Sequence, residues 1–263
     1  MKIIEEFTKS KLESGSHSED GIYYNQHFVV LVDGATSKGN FKWQGKKSGE
    51  IAKNVVLEAF NEIKYDIKKN ELIEKLNGML RKKMQEIKIE ESAILDWLRV
   101  SIVIYSDYHK KIWSYGDCKY IVNQKLLSKE KLIDTELAGI RSVVNRIYGV
   151  DVKELDIGRE FIKPLLVEQY KFENTNHEFG YPVLNGYVKK LLPIIEVDVS
   201  EGDEIVFASD GYFNVKPTLN SSEKTLMDAL KEDPTCCSLN KQTKGMMAGY
   251  CSFDDRSYIR FNI

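Results

Sequence analysis

Apolar positions along the chain follow two periods. Residues 27–32 are largely apolar and β-branched and run directly into Asp33-Gly34, the pattern of a buried strand ending in a turn. Past a polar loop, Ile51, Ala52, Val55, Val56, Ala59, Phe60 and Ile63 recur at helical spacing, with lysines and glutamates between them. A second helix is expected from Leu72, Ile73, Leu76, Met79, Leu80 and Ile87, with Asn70 as its N-cap.

The period then shortens. Val100–Tyr105, Lys111–Tyr115 and Lys119–Leu127 read as strands, joined as antiparallel hairpins at Tyr108-His109 and Gly116-Asp117. From about Asp134 to Tyr170 the pattern is helical again, with Ile140, Val143, Val144 and Ile147 spaced for one face and Pro164 marking a break or kink. Glu173–Gly186 is polar and irregular and reads as a surface excursion. Strands return at Ile194–Val199, Glu204–Ala208 and Ser257–Phe261, with a helix around Ser222–Lys231. No repeat or linker divides the chain, so residues 1–263 are expected to form one domain.

Composition narrows the function classes. The 263 residues are 42% hydrophobic and 30% charged, enough apolar material for a substantial core. With 38 basic and 40 acidic side chains the net charge is -2, so nothing overall draws the chain to nucleic acid or to an anionic membrane. The start, MKIIEEFTKSK, has no signal-like apolar core, and no apolar run is long enough to span a bilayer. Cys118, Cys236, Cys237 and Cys251 show no C-x-x-C spacing, which favours free thiols in a cytoplasmic protein.

Five acidic residues stand out from solvated surface charge by their placement. Asp33 and Asp210 each follow a buried apolar run and precede a glycine; Asp254 precedes the last strand; Glu19-Asp20 precede the first. Carboxylates crowded at strand ends repel one another, and a divalent cation offsets that repulsion. Oxygen-only ligation favours Mg²⁺ or Mn²⁺ over zinc. Two ordinary Asp-Gly turns are the competing reading.

The order of these motifs resembles that of the type-2C metal-dependent protein phosphatases, the PPM family, in its bacterial form. Ser18-Glu19-Asp20 is similar to the N-terminal acidic motif, and Val30-Leu31-Val32-Asp33-Gly34 to the strand whose Asp-Gly bridges two metals. Tyr115-Gly116-Asp117-Cys118-Lys119 resembles the third motif, Gly202 to Gly211 the Gly-Asp…Ser-Asp-Gly strand, and Ser252 to Ser257 the closing motif. The resemblance spans nearly the whole chain. It implies an α+β fold, a four-layer α-β-β-α sandwich with two central antiparallel sheets flanked by helices. Residues 134–186 would form the variable helical flap.

It further implies a Mg²⁺ or Mn²⁺ pair, with a weaker third ion. Asp33 would bridge the two metals and the Gly34 carbonyl would bind one. Asp210 and Asp254 would complete the first site, Glu19 or Asp20 would serve the second, and Asp117 would help hold the third. The implied reaction is in-line attack of a metal-activated water on a phosphate monoester, most readily phosphoserine or phosphothreonine on a protein, without a phosphoenzyme. The partners implied are a phosphorylated protein and a cognate Ser/Thr kinase, with no nucleic acid and no membrane.

The sequence departs from the family pattern at four points. Gly15 stands where many members carry a phosphate-binding Arg, so the residue that grips substrate phosphate is not assigned. Ala35 follows the Asp-Gly where the eukaryotic branch has His, Cys118 and Lys119 replace Ser and Arg, and Asp255 replaces Asn. Two further readings stay open on these grounds: a catalytically weak phosphatase-like binding module, and a phosphatase for small metabolites.

Overall fold

The computed structural model describes residues 1–15, 17–128, 131–149 and 155–263. Two five-stranded antiparallel sheets face each other. The first runs in the order β1 (Lys2–Lys9), β10 (Arg256–Asn262), β9 (Glu204–Ala208), β6 (Lys119–Val122), β7 (Lys125–Leu126). The second runs β2 (Asp20–Tyr24), β3 (Phe28–Ala35), β4 (Arg99–Ser106), β5 (Lys111–Tyr115), β8 (Ile195–Asp198).

Alternation along the strands builds the layers. Val29, Leu31, Val103 and Tyr105 of the second sheet meet Ile205, Phe207, Ile259 and Phe261 of the first in the inter-sheet core. Phe28, Val30 and Val32 point the other way, onto α1 (Ser48–Ala59) and α2 (Lys69–Glu86). Val206, Ala208 and Tyr258 pack toward α5 (Leu219–Glu232). The result is the α+β, α-β-β-α sandwich expected from the sequence. No helix among the described residues is long and apolar enough to cross a membrane.

Several local expectations change. β1 and β2 were not foreseen: β1 is an edge strand with alternately exposed and half-buried positions, so its sequence KIIEEFTK carries no continuous apolar signal. The chain does not turn at Asp33-Gly34, because Asp33, Gly34 and Ala35 still pair with Ser101, Val100 and Arg99. α2 begins after Lys68, which puts Asn70 inside the first turn rather than at the cap. The Lys119–Leu127 segment is two strands, reversing at Asn123 and Gln124, both with positive φ. Glu173–Gly186 is no free excursion: Leu184 exchanges both backbone hydrogen bonds with Val100, and Arg99 Nε donates to Glu173 Oε1 at 2.5 Å.

The helical stretch is two elements, α3 (Leu132–Tyr148) and α4 (Ile157–Glu168), and Pro164 lies inside α4 without ending it. Residues 150–154 between them lie outside the described residues. Ile140, Val143 and Ile147 are exposed, contrary to the face expected from their spacing. The inward face carries Ile133 and Leu137, which cluster with Ile162 and Leu166 of α4, and Val144, which is buried as well. Arg141 decides this. Its fully buried guanidinium bonds Asp156 and the carbonyls of Thr235, Cys236 and Gln242, a set of acceptors available only on that side.

Candidate functional site

Glu19, Asp20, Asp33, Gly34, Asp117, Asp210 and Asp254 all line one cleft of about 190 Å³. The second sheet supplies one wall. Asp20 is the cross-strand partner of Asp33 on β2 and β3, and Asp33 is in turn the partner of Ser101 on β4. Directly opposed residues project to the same face, with Cβ atoms roughly 5 Å apart. Ser101 Oγ then donates to Asp117 Oδ1 at 2.5 Å, extending the polar row to the corner after β5. The first sheet supplies Asp210, in the turn leaving β9, and Asp254, in the segment entering β10. The Glu19 N–H donates to Asp255 Oδ2 at 2.7 Å and so links the two walls.

Crowding shows in the electrostatics. Burial pushes Asp33 well above the usual carboxylate range, and the charges of Asp210 and Asp20 add to it. Asp20 is also pushed up, by burial first. Asp210 is raised to about 6, by burial and then by Asp254. Two acids move the other way. Burial disfavours their ionised forms as well, but Lys244 and Lys11 hold Asp254 below the usual range, and Lys131 does the same for Asp117. Lys11 Nζ donates to Asp254 Oδ1 at 2.9 Å, Lys244 pairs with Oδ2, and Lys131 Nζ lies 2.7 Å from Asp117 Oδ2.

The donor set fits a hard divalent cation. Asp20 Oδ2 is buried without a hydrogen-bond partner among the described residues, the donors are all oxygen, and among those residues no lysine forms a salt bridge with Asp20, Asp33 or Asp210. Among the described residues no three His, Cys, Asp or Glu side chains stand in ready-made coordination geometry. Asp254 and Asp117 explain part of this, since each would have to exchange an ammonium for a metal.

Other residues hold the site in place. Glu19 Oε1 accepts the Gly49 N–H at 3.1 Å in the first turn of α1, and Oε2 accepts from Thr36 Oγ1 at 2.7 Å. Of the adjacent pair, Asp20 is therefore the acid with free donor capacity. Gly34 and Gly49 touch through their backbones: a Cβ on Gly34 would lie 2.7 Å from the Glu19 carbonyl oxygen, and one on Gly49 only 2.5 Å from Glu19 Oε1. Asp255 accepts the N–H groups of Lys11 at 3.0 Å and Glu19 at 2.7 Å, tying the N-terminal acidic motif to β10. Lys119 Nζ donates to the carbonyls of Tyr212 and Phe213, just after Asp210-Gly211. Cys118 is buried in the inter-sheet core, and burial pushes its thiol up, which makes it unreactive. His17 is exposed, 3.9 Å from Glu50.

Sequence reasoning missed most of the cations of the cleft. Lys38, Arg99, Lys131, Arg159 and Lys244 line it together with Lys11. They come from six separate segments and no shared spacing marks them.

The two antiparallel sheets with outer helices match the fold of solved PPM-type Ser/Thr phosphatases. A solved bacterial serine phosphatase superposes with a TM-score of 0.51 at 16% identity, covering 98% of this chain and 96% of that one. The PPM Ser-Thr phosphatase MsPP from Mycobacterium smegmatis, solved in complex with cacodylate, gives 0.50 at 10% identity over 100% of both chains. At these identities the likeness is one of fold. No family model matches the chain, and no curated protein matches it.

Proposed function

We propose that the chain is a Mg²⁺/Mn²⁺-dependent phosphatase that hydrolyses phosphate monoesters, with phosphoserine or phosphothreonine on a protein as substrate and a Ser/Thr kinase as its counterpart in the cytoplasm. One observation carries this reading. Asp20, Asp33 and Asp210 converge from two sheets on one cleft, with a buried Asp20 oxygen lacking any partner.

Asp33, Asp210 and Asp20 would hold two cations, with the Gly34 carbonyl beside them. Asp254 would join the first site and Asp117 a third, each on releasing its lysine. Glu19 would act by fixing the first turn of α1 and the path of the chain at Asp20. A divalent cation there supplies Lewis acidity, activating water as nucleophile and offsetting charge on the phosphoryl oxygens. The chain's own part is to orient and to exclude: the Asp33–Ser101–Asp117 row fixes one wall, and Asp255, accepting the Glu19 and Lys11 N–H groups, ties the other to it.

The test is hydrolysis of p-nitrophenyl phosphate and of a phosphothreonine peptide with and without Mn²⁺. Mn²⁺-stimulated turnover that Asp33→Asn or Asp210→Asn abolishes is expected. A metal-loaded protein inactive on both substrates would sink the reading. The lysines on Asp254 and Asp117 favour a second one, a phosphatase-like binding module in which ammonium groups replace metal. Calorimetry separates them, since a module of that kind takes up no Mn²⁺.

A further inference from the structure

Six cationic side chains line the acid cleft, and four have carboxylate partners there: Lys11 and Lys244 on Asp254, Lys131 on Asp117, and Arg99 on Glu173. Lys38 and Arg159 stand outside these pairs. Together with Lys244 they also line the adjoining outer cavity, so they mark the boundary between the acid floor and the way in.

Their placement is built. The Lys38 and Gly39 N–H groups both donate to the Leu95 carbonyl, at 2.9 and 3.0 Å, which pins the loop after β3. Arg159 Nη1 donates to the carbonyl of Thr243, the neighbour of Lys244, at 2.8 Å, and its backbone N–H is capped by Asp156 Oδ1 at 2.8 Å. Asp156 in turn receives Arg141 Nε at 2.8 Å, and the same Arg141 guanidinium holds the carbonyls of Thr235 and Gln242. One buried arginine therefore locks the start of α4 and the loop bearing Lys244 to each other.

Cations held together this way repel. Burial and then the charges of Arg159 and Lys244 push the Lys38 ammonium down to about 8. An anion at the boundary would reverse that repulsion, just as a dication would relieve the acids beneath. A guanidinium flanked by two ammonium groups suits a compact dianion with several acceptor oxygens, the terminal oxygens of a phosphate monoester.

We propose that Arg159 and Lys38, flanked by Lys244, form the phosphate clamp of this cleft. The substrate class rests on the phosphatase reading; the anion clamp is measurable without turnover.

The experiment is calorimetric titration of inorganic phosphate into the full chain, with and without Mn²⁺, for the wild type, Arg159→Gln, Arg159→Lys and Lys38→Gln. The KM for p-nitrophenyl phosphate and the affinity for Mn²⁺ are measured alongside, and circular dichroism checks folding. Arg159→Gln should weaken phosphate binding by about 10- to 100-fold, the scale of a lost charge-assisted contact, with KM rising in parallel and Mn²⁺ affinity unchanged. Arg159→Lys should fall between, because lysine keeps the charge but not the fork.

Unchanged phosphate affinity in folded Arg159→Gln and Lys38→Gln overturns the clamp, even if the protein proves an active phosphatase. A wild type that binds no phosphate also overturns it. Phosphate binding that depends on Arg159, in a protein without hydrolysis, supports the clamp while the catalytic reading fails. Should Arg159→Gln not fold, Lys38→Gln and Arg159→Lys decide by the same criteria.

Discussion

Asp20 and Asp33 are direct cross-strand partners, two carboxylates facing each other across the β2–β3 ladder at the edge of a buried core. Like charges directly opposed on a sheet are destabilising. The fold tolerates the pair, which marks the position as selected for something other than stability.

The pH dependence of stability follows. Asp210 is raised from its ordinary 3.8 to about 6, and Asp20 and Asp33 are raised as well. Between those two pH values the folded chain keeps protons that the unfolded chain has released, so stability falls as pH rises through the window. Metal-free protein should therefore melt at a higher temperature when moderately acidified from neutral pH, and saturating Mn²⁺ should flatten the trend. The depressed groups, Asp254 and Asp117, lose their contribution only at lower pH, below their ordinary 3.8. Melting curves across pH in chelator and in Mn²⁺ check this; a metal-free melting temperature that drops on mild acidification refutes it.

Asp33→Asn removes one of the opposed charges at constant shape. It should raise the stability of the metal-free protein and weaken Mn²⁺ binding by more than about 100-fold, the upper range for losing even an outer partner of a metal. Denaturant titration and calorimetry read the two effects, which have opposite signs. A variant less stable than wild type without metal would show that the repulsion is already relieved by other contacts.

Lys11 Nζ pairs with Asp254 Oδ1, the position where it would compete with a metal. Lys11→Met keeps the bulk of the stem and removes the ammonium, so Mn²⁺ affinity should rise by about 10-fold, equivalent to about 1.4 kcal/mol. Calorimetric titration is the measure, and unchanged or weaker binding would place Asp254 outside the metal set.

Gly34→Ala tests the close approach of β3 to α1. Its Cβ would meet backbone on two sides, the carbonyls of Gly49 and Glu19, and neither can swing away as a flexible side chain would. A loss of about 1–3 kcal/mol is expected, the usual cost of overpacking, together with weaker metal binding as Glu19 and Asp20 shift. Stability and Mn²⁺ affinity both equal to wild type would mean that the helix start yields freely.

Arg141→Met should cost about 3–5 kcal/mol, because Asp156 is left buried without its cation. Phosphate affinity should drop as well, since Arg159 and the Lys244 loop lose their common anchor. A destabilised but still folded variant with phosphate affinity intact would separate the two roles.

The sequence by itself determined the layers and the acids. The near-continuous apolar runs of β3, β4 and β9 and the helical faces of α1 and α2 are local signals, and each strand-end Asp sits beside an apolar run that burial must order. It did not reveal β1 or β2, whose half-exposed residues carry no strong period, nor the face of α3, where a buried arginine network outweighs apolar spacing. Tertiary structure alone decided which acids are free. Glu19 and Asp20 are neighbours in sequence, yet one is consumed by Thr36 and Gly49 while the other keeps an unpartnered oxygen in the cleft. It alone also gathered Lys11, Lys38, Lys131, Arg159 and Lys244 around those acids. Charges from distant segments leave no periodic trace in a sequence, because the repulsion and attraction between them exist only once the chain has brought them within a few ångströms.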